Sequence, residues 1–227
     1  AVARRRRRLV ASSTPSSSTV PFPQYPPNNG GVRLPLNSHT VPPEVVSADG
    51  STPTLDTHNL YGHAEAAATH AALLSLAPGR RPFILTRSSF VGTGAYAAHW
   101  TGDNAATWAD LAWSISGVLA SGLAGLPMAG ADVCGFSGNT TAELCGRWAG
   151  VAALQPFFRD HSDLQAAPQE LYLWPDGVRA ALAWRYAVLP VLYTALARAA
   201  ATGAPAARPL WFDFPGVAGA RVDRPAW

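Results

Sequence analysis

Two short blocks decide how this sequence reads: Pro82-Phe83-Ile84-Leu85-Thr86-Arg87, and then His99-Trp100-Thr101-Gly102-Asp103-Asn104. The first is an apolar run that ends on a charge. Glycines 92 and 94 follow it, and the second block sets an aromatic and a carboxylate just ahead of a helical pattern. A buried strand that delivers an arginine, followed by a loop carboxylate, is how α/β enzymes assemble a polar site at strand ends.

Outward from these blocks the pattern alternates. Residues 62–76 are Ala-rich with helical apolar spacing, 82–87 read as a buried strand, and 107–123 carry Trp108, Leu111, Ala112, Ile115 and Val118 at helical intervals. A second strand is expected over 126–133. A helix over 140–154 opens on a capping box formed by Thr140 and Glu143, and a third strand over 156–159 leads to His161. A long helix over 176–201 contains Pro190, where a kink is expected. Residues 208–214 alternate aromatic and polar and read as a strand of another layer. Strand and helix in repeated order imply a parallel sheet with crossover helices. The room between 56 and 205 holds only half of a (β/α)8 barrel, so 206–227 is expected to begin a following β-sandwich domain. Residues 1–55, rich in Pro, Ser and Gly, form a largely irregular lead that cannot bury enough apolar surface to offset its ordering entropy.

The net charge of +3 comes from one place. All 17 basic residues are arginines, and five of them form the run at 4–8. Without that run, 12 basic residues face 14 acidic ones, which does not suit a basic nucleic-acid-binding face. The run reads as a solvated tail, with salt-dependent polyanion binding as its functional alternative. No apolar stretch matches a secretory h-region or a membrane span. The sequence starts at Ala1 rather than Met, which reads as a fragment or processed product.

Arg87, Asp132 and His161 each fall at the C-terminal end of a strand candidate, the end where barrel enzymes gather catalytic groups. Taken singly, Asp103 reads as a helix cap, His161 as a core histidine, and Trp100 and Phe136 as core aromatics. Four polar groups at equivalent strand ends favour a site, because Asp132 inside an apolar run would cost several kcal/mol without a partner. Trp100 and Phe136 offer flat faces for sugar rings. Cys134 and Cys145, the only cysteines, flank the sequon Asn139-Thr140-Thr141, which together fit one disulfide in an oxidising, secretory setting. No metal-ligand cluster surrounds them, and neither a metal nor a cofactor is expected.

Arg87-Ser88-Ser89-Phe90, His99-Trp100-Thr101-Gly102-Asp103-Asn104, Gly130-Ala131-Asp132-Val133-Cys134-Gly135-Phe136 and Phe157-Phe158-Arg159-Asp160-His161 occur in that order. They resemble the successive signatures of family 31 glycoside hydrolases, above all plant-type α-glucosidases and acid maltases. His58-Asn59-Leu60-Tyr61-Gly62 and Arg208-Pro209-Leu210 match flanking positions, so the resemblance covers about 56–215. It implies retaining hydrolysis of terminal α-linked glucose from maltose, malto-oligosaccharides or starch. Asp103 would be the acid/base, while Arg87, Trp100, Asp132, Phe136 and His161 would form the glucosyl pocket. The cysteine pair and sequon resemble the secreted and lysosomal branch. The family's nucleophile stands in a Trp-x-Asp-Met-Asn-Glu-like block that this sequence does not contain. The acids of the lead, Glu44, Asp49 and Asp56, do not match it. The isolated chain is therefore expected to be inactive, with a non-catalytic carbohydrate-binding remnant as the alternative.

Overall fold

The computed structural model describes residues 28–29, 32–33 and 41–217. The Arg run, most of the lead and residues 218–227 lie outside the described residues. The chain divides into two compact units, 1–61 and 62–227. In the first, strands β1 (Asn28–Asn29) and β2 (Val32–Arg33) pair antiparallel, and one helical turn, α1 (Thr54–Thr57), precedes a 3-10 turn at His58–Leu60. Asp49 sits in a tight turn whose Ser47 and Ser51 hydroxyls and Ser51 N–H all donate to it. They lower its carboxyl pKa to about 2.

From Gly62 on, the second unit carries helix α2 (Tyr61–Leu76), as its Ala-rich spacing leads one to expect. Five short strands follow: β3 (Leu85–Thr86), β4 (Ala98–Trp100), β5 (Ala129–Gly130), β6 (Asp132–Val133) and β7 (Arg159–Asp160). All of their pairings are parallel. Leu85 lies beside Ala98, His99 beside Ala129, Trp100 beside Gly130, and Asp132 beside Arg159. Strands β5 and β6 are one extended segment interrupted at Ala131, where the sequence shows a single strand. Gly130 is required here, because a Cβ would lie 2.1 Å from the Phe157 carbonyl oxygen. The strand expected at 156–159 is shifted to Arg159–Asp160, although Phe157 N–H already donates to the Ala129 carbonyl.

Helix α3 (Trp108–Leu123) covers this sheet. It starts at Thr107, whose hydroxyl oxygen accepts from Asp110 N–H while the hydroxyl donates to the Asp110 carboxylate. Helix α4 (Ala142–Ala152) is capped by Thr141, not by the expected Thr140. Its Glu143 turns outward to Arg147 instead of closing a capping box. Helix α5 (Pro175–Thr202) runs through Pro190 without a break. Gly146 and Gly177 allow α4 and α5 to touch, since a Cβ on Gly177 would stand 3.1 Å from Gly146 Cα. The core of the unit is Leu111, Val133, Cys134, Leu144, Cys145, Trp148, Ala149 and Val178. Each large apolar side chain buried there contributes about 2 kcal/mol. Arg185 reaches from α5 to the carbonyls of Ala152, Ala153, Gln155 and Pro156, placing a cation at the C-terminal end of α4.

One expectation is corrected. Residues 208–214 do not form a strand: Leu210–Asp213 is one helical turn, α6, closed by an ion pair between Arg208 and Asp213 at 2.7 Å. The following β domain expected over 206–227 falls in part on residues 218–227, outside the described residues. One helix, Asp176–Thr202, is long and apolar enough to cross a membrane by length and composition only, a test that core helices of soluble proteins also pass. It packs on α4 through Val178 and Ala181 and exposes Trp184, Tyr186 and Tyr193.

Candidate active site

Strand alternation sorts the chemistry. Trp100, Asp132, Arg159 and His161 share one face, whereas His99 points to the other, where burial lowers its pKa against an opposing bond to the Thr86 backbone. Asp132 is fully buried and pairs with Arg159 at 2.8 Å. Burial pushes its carboxyl pKa up, and Arg159 chiefly, with the facing but imperfectly aligned Trp100 indole and the nearby His161, pulls it back. Even so, neither Asp132 Oδ2 nor Trp100 Nε1, both buried, completes a hydrogen bond among the described residues.

Around this pair the site is aromatic. The Arg159 guanidinium lies 4.6 Å from the Trp100 ring centroid, and that of Arg87 lies 5.8 Å from it. His161 stands between two rings, edge-on to Trp100 at 6.1 Å and tilted against Phe136 at 5.1 Å. Arg87 follows β3 directly and His161 follows β7 directly, as the sequence reading places them. Arg87 has no carboxylate partner among the described residues. Its company is Trp100 and Gly102, whose φ of 95° forms the turn and where a Cβ would lie 3.4 Å from Arg87 Cδ.

That turn carries Asp103. The capping role open to Asp103 falls to Thr107 and Asp110. Asp103 is exposed and has no side-chain partner among the described residues. Its neighbour Asn104 fixes the turn: its side-chain amide donates to the Asp132 carbonyl, and its own carbonyl accepts from the N–H groups of Phe136 and Ser137. The turn also borders a cavity of ≈ 230 Å³ shared with Asp110, Trp113 and Gly117 of α3.

Cys134 and Cys145 form a buried disulfide from the β6 exit to α4. Asn139 lies exposed between them, its side-chain oxygen accepting from Ala167 N–H at 2.7 Å. Sequence reasoning missed Arg159, although its position two residues before His161 puts both on one strand face. It also missed strand β4, whose three residues are too few to show a period. Among the described residues no group of three or more His, Cys, Asp or Glu side chains could hold a metal ion.

Parallel strands that bring charged and aromatic side chains together at their C-terminal ends define a barrel-type enzyme site. The TIM-barrel domain of glycosyl hydrolases family 31 matches residues 13–195, and the chain belongs to that family. It is 54% identical over 205 residues to a probable alpha-glucosidase of Oryza sativa subsp. japonica, and 53% identical over 206 residues to an alpha-glucosidase of Hordeum vulgare. Each alignment covers 89% of this chain and 23% of the relative. Alpha-xylosidase 1 of Arabidopsis thaliana is 49% identical, with 85% of this chain and 21% of that protein covered. Among solved structures, a glucosidase II alpha subunit superposes with a TM-score of 0.76 at 41% identity, over 81% of this chain and 21% of that one. The chain thus spans under a quarter of the length of these relatives and is a partial α/β barrel.

Proposed function

We propose that this chain is the C-terminal half of the catalytic barrel of a retaining α-glucosidase that releases terminal glucose from maltose, malto-oligosaccharides or starch. Asp103 is the acid/base: it protonates the leaving oxygen and then takes a proton from the attacking water. Asp132, Arg87 and His161 bind hydroxyls of the glucosyl unit, and Trp100 and Phe136 flank its ring. The observation that carries this reading is an exposed, unpartnered Asp103 carried on the turn after Trp100, whose ring is shared by the Arg87 and Arg159 guanidinia and the His161 imidazole. The resident disulfide and the exposed Asn139 support a secretory setting. A mass loss on enzymatic N-glycan removal, absent in Asn139→Gln, checks it.

Retention needs a second carboxylate about 5 Å from the first to form the covalent intermediate. Among the described residues of this site, Asp132 is committed to Arg159 and Asp160 to Gln169. That commitment favours a second reading, a carbohydrate-binding remnant without turnover. Incubation with maltose and an aryl α-glucoside separates them. We expect glucose binding weakened roughly tenfold or more by Asp132→Ala, and no hydrolysis by these 227 residues alone. Joined to an upstream segment with the nucleophile block, the chain gains hydrolysis that Asp103→Asn abolishes. Hydrolysis by the 227 residues alone, abolished by Asp103→Asn, would sink the claim that the nucleophile lies elsewhere.

A further inference from the structure

Gln169 is almost fully buried, at 3% exposure, in the segment between β7 and α5. Its side-chain amide nitrogen faces four acceptors: Asp160 Oδ1 at 2.9 Å, the Gly135 carbonyl at 3.0 Å, the Val133 carbonyl at 3.3 Å and the His161 carbonyl at 3.4 Å. An amide carries only two N–H groups, so the two short bonds are primary and the two long ones share them. Such a nitrogen cannot be exchanged for the amide oxygen, which would meet four acceptors and no donor. The acceptors come from two separate strand exits. Gly135 belongs to the peptide that enters Phe136, and Val133 precedes Cys134, whose φ of 73° turns the chain there. Asp160 and His161 belong to the end of β7. One side chain therefore grips the backbone on both sides of the Phe136–His161 ring contact.

We propose that Gln169 is a positioning residue: it fixes the spacing of the Phe136 and His161 rings and through them the width of the sugar pocket. This rests on the glucosidase reading for its function, but the ring spacing does not. Without the amide donors, the Gly135 and His161 carbonyls lose their shared partner, and the two exits are left to the backbone bond from Asp163 N–H to the Phe136 carbonyl, which lies beyond the ring contact. Burial also raises the pKa of the Asp160 carboxyl, so this acceptor is costly to leave without its donor.

Nuclear magnetic resonance on the whole chain tests it. In the wild-type protein the Gln169 side-chain amide protons exchange on the order of 100-fold more slowly than those of exposed Gln165. In Gln169→Met the ring-current shift of the His161 Hε1 proton falls by at least roughly half, and glucose binds roughly tenfold more weakly. An unchanged His161 shift in a folded Gln169→Met protein overturns the proposal. Equal exchange at Gln169 and Gln165 overturns it as well, and that measurement needs no variant. Loss of the His161 shift in Gln169→Met, with no glucose binding by the wild type, keeps the positioning role and removes the glucosidase reading.

Discussion

The two sides of the strand-end cluster are held in opposite ways. On the β6–β7 side, Asp132, Val133, Cys134 and Cys145 are fully buried, and an ion pair, a disulfide and the Gln169 amide cross-brace them. On the β3–β4 side, Arg87 and Asp103 are exposed and their chain is held by close backbone approaches. Gly62 lies against Ser88, Gly94 lies against Gly125, and the His63 imidazole hydrogen-bonds Thr93 at 3.0 Å. Of the groups read as binding, Asp132 is anchored in the core, whereas Arg87 and His161 reach solvent. The group read as the proton donor stands at solvent, where its proton can be replaced, and Thr101, Asn104 and Ala106 tie its turn to the segment leading into and out of β6.

The contrast breaks most sharply at the buried ion pair. Arg159→Met leaves Asp132 without its cation and is expected to lower folding stability by about 3 kcal/mol at neutral pH, read by chemical denaturation. The sign with pH is fixed by the direction of the Asp132 shift. A carboxyl raised above its ordinary 3.8 holds its proton longer in the folded state than in the unfolded one. The penalty is therefore absent below that value and develops as pH rises through the folded pKa. A loss that is equally large in acid would show that packing of the Arg159 stem, not the charge, is what matters.

Next in size is the disulfide. Replacing both cysteines by alanine removes a short loop constraint and is expected to cost about 3 kcal/mol. Cys134 is also the one non-glycine residue with positive φ among the described residues. Cys134→Gly combined with Cys145→Ala should therefore be more stable than the double alanine variant by about 1 kcal/mol. Equal stabilities would mean that the turn relaxes once the bridge is gone, and that the β6 exit is braced only by its covalent link.

Much of this division was legible in the sequence, because helices of 11 residues or more carry enough turns to show a period. Helices α2 to α5 fall where the apolar spacing puts them. Arg87, Asp132 and His161 fall at strand ends because a charge that closes an apolar run has few other places to go. The strands themselves were too short to read. Ala98–Trp100 looks like loop beside its glycines, and 208–214 looks like strand because four residues of helix do not complete a pattern. Arg159 was hidden for a different reason: its importance comes from the register that sets it beside Asp132, which only the paired strands reveal.

The smallest effect tests the loosely held side. An alanine normally stabilises a helix over glycine by about 1 kcal/mol, and Gly117 in α3 has open space around it, so Gly117→Ala should gain about that much. Gly62 in α2 obeys a different constraint. A Cβ there would stand 2.5 Å from Ser88 Cβ and 2.6 Å from the Ser88 carbonyl oxygen, and backbone cannot swing aside as a flexible side chain can. Overpacking of this kind costs about 1–3 kcal/mol, enough to reverse the helix gain. Gly62→Ala should therefore lose about 1 kcal/mol net and push Ser88 away from α2. Arg87 is the adjoining residue, so glucose affinity should fall in Gly62→Ala and stay unchanged in Gly117→Ala. If both variants gain stability and bind alike, the β3 exit is free to move without consequence. The contrast between a braced and an unbraced side would then not extend to Arg87.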